Sequence, residues 1–241
     1  GAEQYCYGII DQDNVKRRKF YEVQSFFKEM KDNEALTQSE VKSDVAVVYD
    51  YESMASFRIQ RQSFLMDYKQ EVYRLYRPFY KKNINMDVIP SDSDFDKYKV
   101  LLLPVMIVHK KEVQDKVRKF VSGGGTVVFT YRTAVKDYYN NLTLGQFNPT
   151  YYTDLVGGYV EEVESFQDDQ VALLIGNEEF EGINGTATVF RDMLKTTTAK
   201  TLFKYEDEFF EDLSAITLNK YQGGKVYYVG CGADENIMDH L

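Results

Sequence analysis

The 241-residue sequence has no tryptophan, two cysteines, two histidines and four prolines. Each scarcity excludes something. Cys6 and Cys231 stand far apart and suit neither a disulfide framework nor a thiolate cluster. Only His109 and His240 could join them, so no Cys/His zinc constellation can be built and no metal is expected. Apolar runs are too short to span a bilayer. The opening "GAEQYCYGII" lacks the basic region and long apolar core of a signal peptide. The densest basic run, "VKRRKF", is short in a chain of net charge −9. No basic stripe could neutralise a nucleic-acid backbone. Neither nucleic acid nor membrane is an expected partner.

What remains is ample for folding. Hydrophobic residues make up 44% of the chain, enough for a sizeable core. Twenty tyrosines and sixteen phenylalanines suit an interface or a carbohydrate contact, though such residues also simply pack. The chain opens on Gly1 and directly on strand-like residues, as a piece of a longer protein would.

"KFVSGGGTVVFT" (119–130) raises the question of a phosphate loop. Such loops leave a strand and open a helix, so that backbone N–H groups face the anion. Here the order is reversed. "KKEVQDKVRKFV" precedes the glycines, with Val113, Val117 and Val121 on one helical face. "TVVFT" follows as a short, β-branched strand. Gly123, Gly124 and Gly125 therefore read as a helix stop.

The remaining pattern alternates. "DVAVVYD", "INMDVIP", "KVLLLPVMIV" and "TVVFT" are expected strands, and residues 64–83 an expected helix. This alternation predicts a doubly wound parallel sheet with helices on both faces. Residues 131–158 read as a long irregular loop with a short helix. "VALLIG", "TATVFRDML", "AKTLFKYED", "SAITLNKY" and "KVYYVG" form an expected antiparallel extension and sheet edge, the last two a hairpin about "QGG". Residues 1–42 stand apart: a strand over 2–11, a helix with Phe20, Val23, Phe27 and Met30 on one face, and a polar connector.

Chemistry is sparse. After the first strand "YDYESMAS" sets Asp50 and Glu52 where a phosphate would need hydroxyl and glycine residues. The third strand ends on Pro104, not on an acceptor aspartate. "VGCGAD" offers Cys231 as the one candidate nucleophile, with His240 downstream, against the plainer reading of a buried thiol. His109 reads as a surface histidine. The acid pairs Glu161/Glu162, Asp168/Asp169, Glu178/Glu179 and Asp207/Glu208 read as solvated loops.

"SDVAVVYDYESMASF", "DVIPSDSDFDKYKVLLLPVM", "VRKFVSGGGTVVFTYRTAVKD" and "KYQGGKVYYVG", in that order, resemble the middle domain of glycoside hydrolase family 42 β-galactosidases. "GAEQYCYGIIDQDNVKRRKFYEVQSFF" resembles the end of that family's catalytic barrel, with Tyr7-Gly8 where the family often has His-Gly and Gln12 where a histidine is common. The resemblance implies a flavodoxin-like, class I glutamine amidotransferase-like fold over 43–241. It implies a barrel remnant plus connector over 1–42, and a non-catalytic role in trimer formation without a cofactor. The implied partners are the chain's own catalytic barrel and the other subunits of a homotrimer. The galactoside substrate belongs to the parent enzyme, whose two catalytic glutamates match no position here.

Loops at the carboxyl ends of parallel strands gather on one edge of a sheet. Here they carry Tyr51, Glu52, Arg58, Arg132, Lys136, Asp137, Tyr138 and Tyr139. These are the expected interface or cleft-facing residues, since arginine and tyrosine carry contact energy. Two other functions remain open: a carbohydrate-binding module using the tyrosines, and an amidotransferase-like enzyme using Cys231.

Overall fold

A computed structural model of the chain describes residues 8–241. The strand expected over 2–11 falls largely on residues 1–7, outside the described residues, as does Cys6. The chain divides into two compact units, one ending at Lys42 and one spanning Ser43–Leu241.

The first unit holds helix α1 (Arg18–Asp32), as its periodicity predicts, and a one-turn helix α2 (Glu34–Thr37) where a connector is expected. Neither helix buries a residue, and Phe26 and Phe27 are 58% and 62% exposed. Arg17 of the basic run pairs with Asp11 at 2.8 Å and Asp13 at 2.5 Å.

The second unit is a mixed α/β structure around one sheet. Its elements are β1 (Val45–Val48), α3 (Tyr51–Ile59), α4 (Tyr68–Lys81), β2 (Met86–Ile89), β3 (Val100–Leu103), α5 (Lys111–Ser122) and β4 (Thr126–Thr130). After the long loop come α6 (Thr153–Val156), β5 (Gly158–Ser165), β6 (Ala172–Gly176), β7 (Asn184–Thr196) and β8 (Lys200–Tyr205). Last are β9 (Ile216–Tyr221), β10 (Gly224–Val229), β11 (Cys231–Ala233) and α7 (Glu235–His240). The strands run β11-β7-β6-β8-β9-β10-β4-β3-β1-β2, with β5 also on β7. β2, β1, β3, β4 and β10 are mutually parallel neighbours, and the other pairings are antiparallel. No helix among the described residues is long and apolar enough to cross a membrane.

The central parallel strands β1 and β3 are continuous apolar runs because both faces are covered. Val45, Val47 and Leu102 pack with Val72 and Leu75 of α4. Ala46, Val48, Leu101 and Leu103 pack with Val113, Val117 and Phe120 of α5. Each such valine or leucine contributes about 1.5–3 kcal/mol on burial.

The structure departs from the sequence pattern in four places. The β9–β10 hairpin is not an edge: Val226, Tyr228 and Val229 are buried, and β10 lies inside the sheet beside β4. Residues 51–59 are helix, not loop; the Asp50 carboxylate accepts from the Ser53 N–H and caps it. The helix expected over 64–83 starts only at Tyr68, where Asp67 accepts from Lys69 and Gln70 N–H. β5, β11 and α7 were unexpected elements. β5 exposes Glu161, Glu162, Val163 and Glu164 in succession, so it has no clean alternation.

The three glycines do end α5. Gly124 N–H donates to the Val121 carbonyl and Gly125 N–H to that of Phe120, while Gly124 has φ +99°. This is a Schellman cap with its left-handed residue at Gly124. Gly124→Ala should lower unfolding free energy by about 1 kcal/mol, because an L side chain is strained there. Urea denaturation checks this; an unchanged midpoint and slope would contradict the cap.

Candidate functional site

The chain leaves β1 and β3 towards opposite faces, and the crevice between their carboxyl ends is where doubly wound sheets bind ligands. Here side chains fill it. Asp50, fully buried at the end of β1, accepts from Ser53 N–H at 2.9 Å and from Ser91 Oγ at 2.7 Å. Its own N–H donates to the Tyr68 hydroxyl at 2.8 Å. Lys110 Nζ stands 3.2 Å from Asp50 and 2.8 Å from Glu52. Burial would push the Asp50 carboxyl up, but bonds from Ser53 and Ser91 and the Lys110 charge hold it below its ordinary range. An internal anion thus sits at the N-terminus of α3, where a phosphate would otherwise bind.

The loop after β4 is anchored more deeply than its sequence suggests. Arg132 and Ala134 have φ of 58° and 54°. Arg132 N–H and the Tyr228 hydroxyl both donate to Asp192 Oδ2 at 2.7 Å. Arg132 Nη2 donates to Gln62 at 2.8 Å, and its guanidinium lies 5.6 Å from the Phe190 ring centre. Burial pushes the Asp192 carboxyl up against the pull of Arg132. Lys136 pairs in a bridge with Val108, and its Nζ donates to Asn140 at 3.1 Å and to Ser56 and Gln60 at 3.4 Å. Burial and the Arg132 charge press its ammonium pKa down.

The eight expected edge residues therefore divide. Tyr51, Arg58, Tyr138 and Tyr139 are exposed, the last at 81%. Glu52 is half-exposed and held by Lys110. Asp137 accepts from Tyr139 and Asn141 N–H, each at 2.9 Å, and so shapes its own loop. Those bonds, Asn141 foremost, hold its carboxyl low. Arg132 is half-buried and Lys136 only 3% exposed, so these two brace the edge from within. Sequence reasoning missed Asp192, Ser91 and Ser56. No local motif marks Asp192, which lies in a strand far from the loop it ties.

Cys231 is no nucleophile. It lies buried in β11 rather than on a strand-to-helix elbow, and burial pushes its thiol up to about 12. His240 is exposed and bonds the Asn236 carbonyl within α7. His109 is not a plain surface residue. Its ring contacts Thr143 at 3.0 Å and Gln114 at 3.1 Å, and burial lowers its pKa. Of the acid pairs, Glu179 binds Lys200 and Asp207 binds Arg191.

Asp50→Ala removes a cap and a buried ion partner together and should cost about 3 kcal/mol of stability. The folded carboxyl titrates below the unfolded one. Its contribution is therefore complete above about pH 4 and is lost as pH falls through the folded value. Asp50→Asn should flatten that part of the acid limb in denaturant titrations. An unaltered acid limb would show that Asp50 does not titrate with folding.

Residues 43–241 match the family described as the β-galactosidase trimerisation domain. The chain is 31% identical over 236 residues to a β-galactosidase (BgaA) of Clostridium cellulovorans, covering 95% of this chain and 34% of that protein. It is 27% identical over 244 residues to BgaB of a Geobacillus species, covering all of this chain and 35% of the relative. The crystal structure of a β-galactosidase from Bacillus circulans sp. alkalophilus superposes with a TM-score of 0.84 at 26% identity, over 96% of this chain and 35% of that one. The chain thus spans about a third of the length of these relatives. With its family match running from Ser43 to the last residue, the chain belongs to the β-galactosidase trimerisation domain family.

Proposed function

We propose that this chain is the assembly domain of a larger β-galactosidase of glycoside hydrolase family 42, and that it joins three copies while the parent's barrel hydrolyses terminal β-D-galactosides. The match over residues 43–241 carries this reading. On it, the segment up to Lys42 is a remnant of the end of the catalytic barrel plus a connector, and the exposed Phe26 and Phe27 are groups a barrel would cover. The strand order β2-β1-β3-β4-β10 supports a flavodoxin-like, amidotransferase-like core. Its ligand crevice is filled by Asp50 and Lys110, which leaves surface contact as the domain's work. The edge bearing Tyr51, Arg58, Tyr138 and Tyr139 faces a partner, the domain's own barrel or a neighbouring subunit.

Light scattering of the 241-residue chain should give three times its 28.1 kDa mass. A monomer at every accessible concentration would contradict the assembly role. The same chain should not turn over an aryl β-galactoside. Turnover abolished by changing any of the acid pairs named above would place catalysis within this domain.

A further inference from the structure

We infer that two neighbouring patches of opposite charge form the contact between copies, the Phe209 knob of one copy seating on the Arg58–Phe64 ledge of the next. The inference rests on the trimer reading and names the surface that achieves it.

The ledge is the segment RIQRQSF, the last two residues of α3 and the five that follow. Ile59 and Phe64 are 76% and 82% exposed. Arg58 and Arg61 are exposed, and among the described residues neither has a carboxylate within ion-pair distance. The ledge is nonetheless held in place. Lys136 binds Gln60, Arg132 binds Gln62, and Ser63 Oγ donates to the Phe166 carbonyl at 3.4 Å. A surface of arginine and large apolar groups on a braced backbone is the composition of an interface hot spot.

The knob is the segment EDEFFED, residues 206–212. Phe209 is 93% exposed, more than any other large apolar side chain described. Asp207 fixes the turn by accepting from Phe209 N–H at 3.0 Å and pairing with Arg191 at 2.9 Å. Glu206, Glu208, Glu211 and Asp212 are exposed and, among the described residues, carry no ion pair. Lys204 is spent on the Glu211 backbone carbonyl. The result is an exposed ring amid uncompensated carboxylates, the chemical complement of the ledge.

Phe166 links the two patches. Its carbonyl holds Ser63 of the ledge, and its ring lies 5.7 Å from the Arg191 guanidinium. Arg191 in turn covers Phe210 at 5.0 Å and pairs with Asp207 of the knob. This adjacency suits a three-fold axis. A ring of three needs a heterologous contact, made by two different surfaces of each copy. Near the axis those two surfaces lie side by side. Copies of a chain with net charge −9 repel one another unless basic surface meets acidic surface. The apolar groups supply affinity, and the charges supply orientation.

Sedimentation velocity of the 241-residue chain tests the contact. Wild type should be trimeric, and Arg58→Glu with Arg61→Glu should weaken assembly about tenfold or more. Glu208→Arg with Glu211→Arg should do the same. All four changes in one chain should restore assembly to within about threefold, because the charges are then exchanged across the contact. Phe209→Ser should weaken it without a charge change. A single cooperative thermal transition shows that the variants fold, with a midpoint lowered only as far as assembly is weakened. Charge-reversed chains that assemble like wild type would overturn this contact and leave the trimer reading standing. So would two weakened variants whose combination is not restored. A wild-type monomer would remove the trimer reading and the contact with it.

Discussion

Asp192 ties the two halves of the sheet together. It lies in β7, on the antiparallel side, and is 1% exposed. Its carboxylate accepts from Arg132 in the loop after β4 and from Tyr228 in β10, both on the parallel side. Its backbone joins as well: N–H donates to the Gly230 carbonyl, and the carbonyl accepts from the Tyr205 hydroxyl at 3.1 Å. A buried carboxylate is costly unless donors surround it. These donors come from segments distant in sequence, so the buried Oδ2 is satisfied only when the whole seam is assembled. β10 completes the seam by pairing parallel to β4 and antiparallel to β9. The left-handed turn at Arg132, and with it the braced ledge, depends on this knot.

The crevice at the ends of β1 and β3 shows a different use of charge. A helix N-terminus facing a crevice favours an anion. The chain supplies one covalently as Asp50 and neutralises it with Lys110, and Ser91 completes the shell. An external phosphate would have to displace a buried, paired carboxylate. The fold therefore keeps the architecture of a ligand-binding sheet without its vacancy, a case where fold and function part.

The parts of the fold visible in the sequence were those where one local rule decides. Val45–Val48 and Leu101–Leu103 are apolar because both faces are covered, and a continuous run says so directly. The cap at Gly124 follows from residue type and order alone. α3 was not visible: it buries only Ser53, Ser56 and Phe57, and two of these are polar. Its signal was the Asp50 cap, which was read instead as an obstacle to phosphate. Of the expected edge residues, Tyr51, Glu52 and Arg58 lie on a helix rather than a loop, and Arg132 and Lys136 lie half-buried and buried. Lys136 is drawn inward by Asn140 of its own loop and by Ser56 of α3, a partner eighty residues upstream that leaves no pattern. β10 shows the same limit. Its hairpin with β9 is local and legible, whereas its parallel partner β4 is nearly a hundred residues upstream.

The tyrosines show why composition alone could not decide between glycan binding and assembly. One group is structural. Tyr68, Tyr98, Tyr205 and Tyr228 are buried, and each hydroxyl bonds a carboxylate or backbone group on another segment. Tyrosine suits this because its ring fills core volume while its hydroxyl satisfies a distant polar group. A tryptophan could only donate, whereas the Tyr68 hydroxyl accepts from Asp50 N–H. The second group, Tyr51, Tyr73, Tyr80, Tyr138 and Tyr139, is at least half exposed. Tyr80 is partnered by Tyr76 and Tyr139 by Tyr138, with ring centres 5.9 and 5.6 Å apart. Rings packed against one another on an outer surface present edges and partial faces rather than an isolated flat platform. That geometry suits an irregular protein surface, which many small contacts can follow, better than a single sugar ring. The same residue type thus seals the interior of the domain and furnishes its exterior, and only the partners of each hydroxyl and ring tell the two uses apart.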